Sequence, residues 1–329
     1  GGNTLSGTLT QNNTTYDVNA GETNNLDGFL TGSGGVTLIG GGQLNLTGTT
    51  NNYTGNTVIS NGTLQISTLT NSNTVSSIGV SNNITLAGAN ATNAVIDYTG
   101  GNVTTDRTFI LTNGGGTINM ASNTTNTLTG SASGTGTLIV GEGTLVLSNG
   151  TANSFAPGSI QVDSGATLQL AANDQIGNTT GLILNGGTFR IGTASTGFSD
   201  TLGTLTLSAS STIDLGAWTT GVRQLTFANS SAITWTGTLT ITNWQGVALQ
   251  SSSVAEIIFG AGGLTSGQLA QVSWADQGIT GGTLIGGGEL VPVPEPRVYA
   301  AAVALLAVVG WRERKRLLGL FSRGKKPKV

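Results

Sequence analysis

Asp97 and Asp106, the latter followed by Arg107, and the pair Asp163 and Asp174 are the side chains in this sequence best suited to chemistry. Two carboxylates can flank a glycosidic bond and act as acid, base or nucleophile without histidine, so these residues would suit a polysaccharide lyase or glycosidase. Little else supports that chemistry. Histidine and cysteine are absent, which removes Ser-His-Asp triads, zinc hydrolase sites and thiolate ligands. Every lysine falls in the last 33 residues, so the preceding body offers none as a base. Isolated, solvated surface carboxylates are the better reading of these aspartates. Gly40-Gly41-Gly42 and Gly114-Gly115-Gly116 lack the lysine and following helix of a phosphate loop. The chain also lacks the Asp-rich repeats that gather calcium. No catalytic, metal or cofactor site is therefore expected.

The elements that carry these residues read as strands and tight turns. The chain has 53 glycines and only 8% charged residues, and Thr, Asn, Gly and Ser fill the spaces between single aliphatic residues. A pattern of Thr, an apolar residue, any residue and a second apolar residue recurs at Thr63, Thr117, Thr144, Thr167, Thr188, Thr204, Thr212 and Thr238. Period-two alternation places both apolar side chains on one face. Hydrophobic residues make up 37% of the chain, and their regular placement argues against disorder. The copies at Thr144, Thr167 and Thr188 lie 23 and 21 residues apart, room for one coil of short strands. A four-residue strand cannot bury its own core, so coils must stack. The Asn-Gly pairs Asn61-Gly62, Asn149-Gly150 and Asn185-Gly186 read as corners. The expected fold is all-β: a right-handed parallel β-helix, or β-solenoid, over residues 1–262.

Residues 263–291 read as a C-terminal cap, with a short helix from Ser266 to Gln271 covering the last strand edge. Trp218, Trp235, Trp244 and Trp274 cluster in this last third, where they either pack as core or stack on sugar rings, packing being favoured. Residues 1–296 carry 3 basic and 14 acidic groups, and residues 297–329 carry 9 and 1. A body of net charge −11 is unsuited to nucleic acid.

Two stretches resemble known families. Gly34-Gly35-Val36-Thr37-Leu38, Gly42-Gln43-Leu44-Asn45-Leu46, Tyr53-Thr54-Gly55-Asn56-Thr57-Val58-Ile59 and Gly62-Thr63-Leu64-Gln65-Ile66 resemble the autotransporter-associated β-strand repeat over residues 32–66. A weaker copy lies at 130–170, where Phe155-Ala156-Pro157-Gly158 departs from the pattern. In it Leu38, Leu44, Leu46, Val58, Leu64 and Ile66 correspond to Leu138, Leu145, Leu147, Ile160, Leu168 and Leu170. The resemblance implies a parallel β-helix on a cell surface, and no catalytic activity.

The end of the chain reads Val-Pro-Val-Pro-Glu-Pro from Val291 to Pro296, an apolar run from Val298 to Trp311, and a basic cluster at Arg312, Arg314, Lys315 and Arg316. These parts, in order, resemble the PEP-CTERM sorting signal, placed at 292–316 with a basic cytoplasmic tail at 317–329. The resemblance implies an exported protein of a Gram-negative bacterium. It would be held in the inner membrane by a helix over 298–311 until an exosortase-type protease acts at Pro294, Glu295 and Pro296. The basic cluster would stay cytoplasmic by the positive-inside rule. A 14-residue helix spans about 21 Å, short of the roughly 30 Å bilayer core, so the flanking arginines would snorkel or the bilayer thin. The partners implied are the protease, the membrane and extracellular polysaccharide.

Overall fold

A computed structural model describes residues 3–192, 197–252, 254–294, 309 and 311–314. The chain winds into a β-solenoid of about ten coils with three strand-bearing faces. On the first face, parallel strands run from Thr14–Asp17 through Val36–Ile39, Thr57–Ile59, Asn83–Leu86 and Thr108–Leu111 to Phe155–Ala156. The Phe155–Ile176 bridge carries this face on to Phe198–Leu202, Arg223–Phe227 and Ala255–Ile258. The second face stacks ten strands from Thr4–Leu5 to Leu205–Ala209. The third includes Val103–Thr105, Thr125–Leu128, Ala166–Leu170, Thr188–Ile191, Ser211–Asp214 and Leu239–Thr242. The strand Thr137–Leu147 turns the corner between second and third faces without breaking, and the extra residue Gly141 shifts its register against Gly115–Met120.

Alternation decides what goes inside. In Ala166–Leu170 the side chains of Ala166, Leu168 and Leu170 are buried, and Thr167 and Gln169 face outward. Register stacks like on like: Leu128, Leu147, Leu170 and Ile191 form one aliphatic ladder on the third face. Leu138, Ile160, Leu182 and Leu205 form another on the second. Each such side chain stabilises the stack by about 1.5–3 kcal/mol. Outside, Thr144, Thr167 and Thr188 align as the 23- and 21-residue spacing predicts.

Three details differ from the sequence reading. The repeated stretches near 38–66 and 138–170 occupy different faces: Leu44 and Leu64 lie on the second face, whereas their counterparts Leu145 and Leu168 lie on the third. Val58 points outward between the buried Thr57 and Ile59, unlike buried Ile160. The two copies share an alternation rather than a place in the coil. Secondly, Gln65 pairs with Asp97, 32 residues on, because the intervening coil carries the long loop 67–82. Thirdly, Gly62 and Gly186 take positive φ of 117° and 92° as corners, but in the Asn149-Gly150 turn the left-handed residue is Asn153 at 55°.

At the C-terminal end the winding gives way to antiparallel pairing. Val272–Trp274 pairs with Ile279–Thr280, and Glu289–Pro292 lies between Ala255–Ile258 and Gly282–Ile285. The helix Ser266–Ala270 is closed by a capping box between Thr265 and Gln268. Trp218, Trp235, Trp244 and Trp274 are all buried. Trp244 packs 4.9 Å from Trp274, and Trp235 meets Phe259 edge-on at 6.3 Å. They are core residues and offer no stacking surface for a sugar.

Candidate functional site

Three of the four carboxylate candidates, Asp97, Asp106 and Asp163, accept hydrogen bonds from neighbouring groups, and Asp174 is exposed. Asp97 accepts a hydrogen bond from Gln65 Nε2 at 2.8 Å, within an outward file on the second face where Asn45 Nδ2 donates to Asn25 at 2.7 Å. Asp163 accepts from Gln161 at 2.7 Å and from Asn185 at 2.8 Å. Asp174 lies in a turn with φ 51°. Asp106 and Arg107 diverge in the connection between the strands Val103–Thr105 and Thr108–Leu111, the first exposed and the second buried. Asp106 is exposed and accepts from the Ser72 N–H at 2.6 Å.

Arg107 is fully buried. Its guanidinium donates to the carbonyls of Thr70 and Gly79, each at 2.8 Å, to Ser76 Oγ at 3.1 Å and to the Ser81 carbonyl. It staples the loop 67–82 to the solenoid, and burial lowers its pKa from the ordinary value. The other arginines of the body are also structural. Arg190 pairs with Asp214 at 2.7 Å. Arg223 is buried, donates to the carbonyls of Ile191 at 2.5 Å and Leu215 at 3.1 Å, and lies 5.2 Å from the Trp218 ring centre.

Two carboxylates missed in the sequence, Asp214 and Asp200, have pKa values displaced by their surroundings. Burial acts to raise the Asp214 carboxyl, but the Asn243 amide, the Gly216 N–H and Arg190 outweigh it and hold it below its ordinary value. Asp200 is 1% exposed. One oxygen accepts from the N–H groups of Gln175 at 2.7 Å and Ile176 at 3.2 Å, and the other has no partner. Burial raises its pKa to about 7, against the pull of those two N–H groups and with help from Asp174. The alternation Phe198, Asp200, Leu202 places an acid at an inward position, a signal that was available in the sequence.

The first face has a shallow polar groove of about 480 Å³ lined by Asn173, Phe198, Ser199, Val222, Gln224 and Glu256. Ser199, Gln224 and Glu256 lie in register on three successive strands, and Gln224 Nε2 donates to Glu256 at 2.5 Å. Groups of three or more metal-binding side chains do not occur among the described residues.

Of the sorting-motif residues, Pro294 is described and lines an open groove together with Ser266, Leu269 and Ala270. Glu295, Pro296, Lys315, Arg316 and most of the apolar run lie outside the described residues. Arg312 and Arg314 belong to an exposed helical segment at 311–314. No helix among the described residues is long and apolar enough to cross a membrane. No protein-family model matches the chain, and no curated protein or solved structure matches it either.

Proposed function

We propose that this chain is a non-enzymatic structural or adhesive protein of the bacterial surface or extracellular matrix, a right-handed β-helix exported with a PEP-CTERM-like tail that an exosortase-type protease removes. The handedness rests on the strong preference of parallel crossovers for right-handed winding. The observation that carries the surface role is the outward polar lattice: files of Asn, Gln, Thr and Asp in register, which include the groove of Asn173, Ser199, Gln224 and Glu256. Rungs about 4.8 Å apart repeat hydroxyl and amide groups along the axis, which suits an extended polysaccharide. A body of net charge −11 favours neutral over acidic glycans.

The tail sequence from Pro294 to Arg316 carries the export reading. Substituting Pro294, Glu295 and Pro296 by alanine is expected to leave the tail attached and the body in the inner-membrane fraction. Unchanged processing of that variant would refute the reading. The alternative, a carboxylate-dependent lyase or glycosidase, has its candidates Asp97, Asp106 and Asp163 engaged as hydrogen-bond acceptors. Turnover of any glycan in an acidic and neutral panel, abolished by Asp106→Asn, would favour it instead.

A further inference from the structure

Asparagine followed by glycine occurs four times in the chain, at Asn61-Gly62, Asn113-Gly114, Asn149-Gly150 and Asn185-Gly186. The pair carries its own chemistry. The glycine nitrogen can attack the side-chain amide carbon of the asparagine, because no Cβ hinders the approach and the glycine backbone turns freely. Three of the four pairs are guarded by neighbouring coils. The Gly62 N–H donates to the Asn93 carbonyl at 2.7 Å, the Gly114 N–H to the Gly88 carbonyl at 2.8 Å and the Gly186 N–H to Ser211 Oγ at 2.8 Å. A Cβ on Gly62, Gly114 or Gly186 would stand 2.5, 2.3 or 3.0 Å from an atom of the preceding coil. Gly150 differs on each count: it is exposed, its N–H has no acceptor among the described residues, and a Cβ there would find open space.

Asn149 Oδ1 accepts from the Thr151 N–H at 2.8 Å, a donor that also steadies negative charge on this oxygen while the carbon is attacked. Asn149 Nδ2 donates to the Thr129 and Gly130 carbonyls at 2.9 and 2.5 Å. These two bonds tie the turn between Thr137–Leu147 and Phe155–Ala156 to the coil before it. We infer that Asn149 is a site of spontaneous modification, deamidating through Gly150 in the folded protein while the other three pairs are spared, and that the change releases this turn. In the step, the Gly150 nitrogen gives its proton to hydroxide and bonds to Cγ of Asn149. The Cγ–Nδ2 bond breaks, and ammonia leaves with a proton taken from water. Water then opens the cyclic imide at one carbonyl or the other, leaving aspartate or isoaspartate, with nothing oxidised or reduced. A carboxylate has no proton to donate, so its oxygens face the Thr129 and Gly130 carbonyl oxygens in repulsion where two hydrogen bonds stood.

The full chain tests this, held folded in mildly alkaline buffer beside a guanidinium-unfolded sample. Peptide mapping by mass spectrometry follows amide-to-acid conversion at the four asparagines. Unfolded, the four should convert at similar rates. Folded, Asn149 should convert at least about ten-fold faster than Asn61, Asn113 or Asn185, whose reaction waits on local opening. An amide at Asn149 that lasts as long as the other three, or earlier conversion at one of them, would overturn the inference. Gly150→Ala, which the open space accommodates, should slow conversion at Asn149 without disturbing the fold. An unaltered rate would remove Gly150 as the nucleophile. The converted protein, separated by its added negative charge, should exchange amide hydrogens faster over residues 148–154 than the unconverted protein. Equal exchange would refute release of the turn.

Discussion

Replacing Asp200 by asparagine should remove most of the loss of stability that the protein suffers as pH rises to neutrality. The folded carboxyl keeps its proton up to a pH of about 7, whereas its ordinary value is 3.8. Between those limits the folded chain binds more protons than the unfolded one, so stability falls as pH rises and levels off above about 7. Each tenfold change in proton affinity is worth about 1.4 kcal/mol, so a carboxyl moved from 3.8 to about 7 costs the folded state about 4 kcal/mol once it is ionised. Asparagine keeps the shape and the oxygen that accepts from Gln175 and Ile176, but it cannot ionise. Its amide would meet the same partnerless side of the pocket as the protonated acid. The two proteins should therefore be similar only below about pH 3.8, with the variant ahead by about 1.5 kcal/mol at pH 5 and by about 4 kcal/mol at pH 8.5. Urea unfolding followed by tryptophan fluorescence reads this locally, because Trp218 and Trp235 lie in the coils next to Asp200 and solenoid coils feel mainly their neighbours. Parallel stability curves from pH 5 to 8.5, or a wild-type curve that is flat across this range, would refute the reasoning.

Asp214 should behave with the opposite sign: its pKa lies below the ordinary 3.8, so the stability it contributes is complete above that pH and lost on further acidification. Asp214→Asn should flatten the acid limb of the unfolding curve. Arg107→Met should leave the carbonyls of Thr70, Gly79 and Ser81 unpaired and cost about 2–4 kcal/mol. Hydrogen exchange at residues 70–81 is expected to rise more than about ten-fold while the C-terminal coils remain unchanged. Gly34→Ala should cost about 3 kcal/mol or more in thermal unfolding, because a Cβ there would stand 1.9 Å from the Asn13 nitrogen. Gly165→Ala, at φ +84° with open space around it, should cost only about 1 kcal/mol. Equal effects of the two glycine variants would contradict the close stacking of coils.

The alternation of single aliphatic residues with Thr, Asn and Gln by itself determined that the chain forms short half-buried strands, since a period of two leaves no other way to separate the two sets. It also determined that such strands must stack, because none can enclose a core alone. Composition settled the absence of histidine- and cysteine-based chemistry. What alternation could not assign was the face each strand occupies, so repeats matching in sequence came to lie on adjacent faces, as Leu64 and Leu168 do. The partners of the charged residues were likewise invisible. Asp97 meets Gln65 across 32 residues and Arg190 meets Asp214 across 24, separations set by coil circumference and loop insertions rather than by any local pattern. Burial of Asp200 and capture of Arg107 by a loop that precedes it were decided only when the coils closed. Stacking brings distant residues to within hydrogen-bonding distance, and the energy of a buried charge depends on those neighbours rather than on its place in the chain.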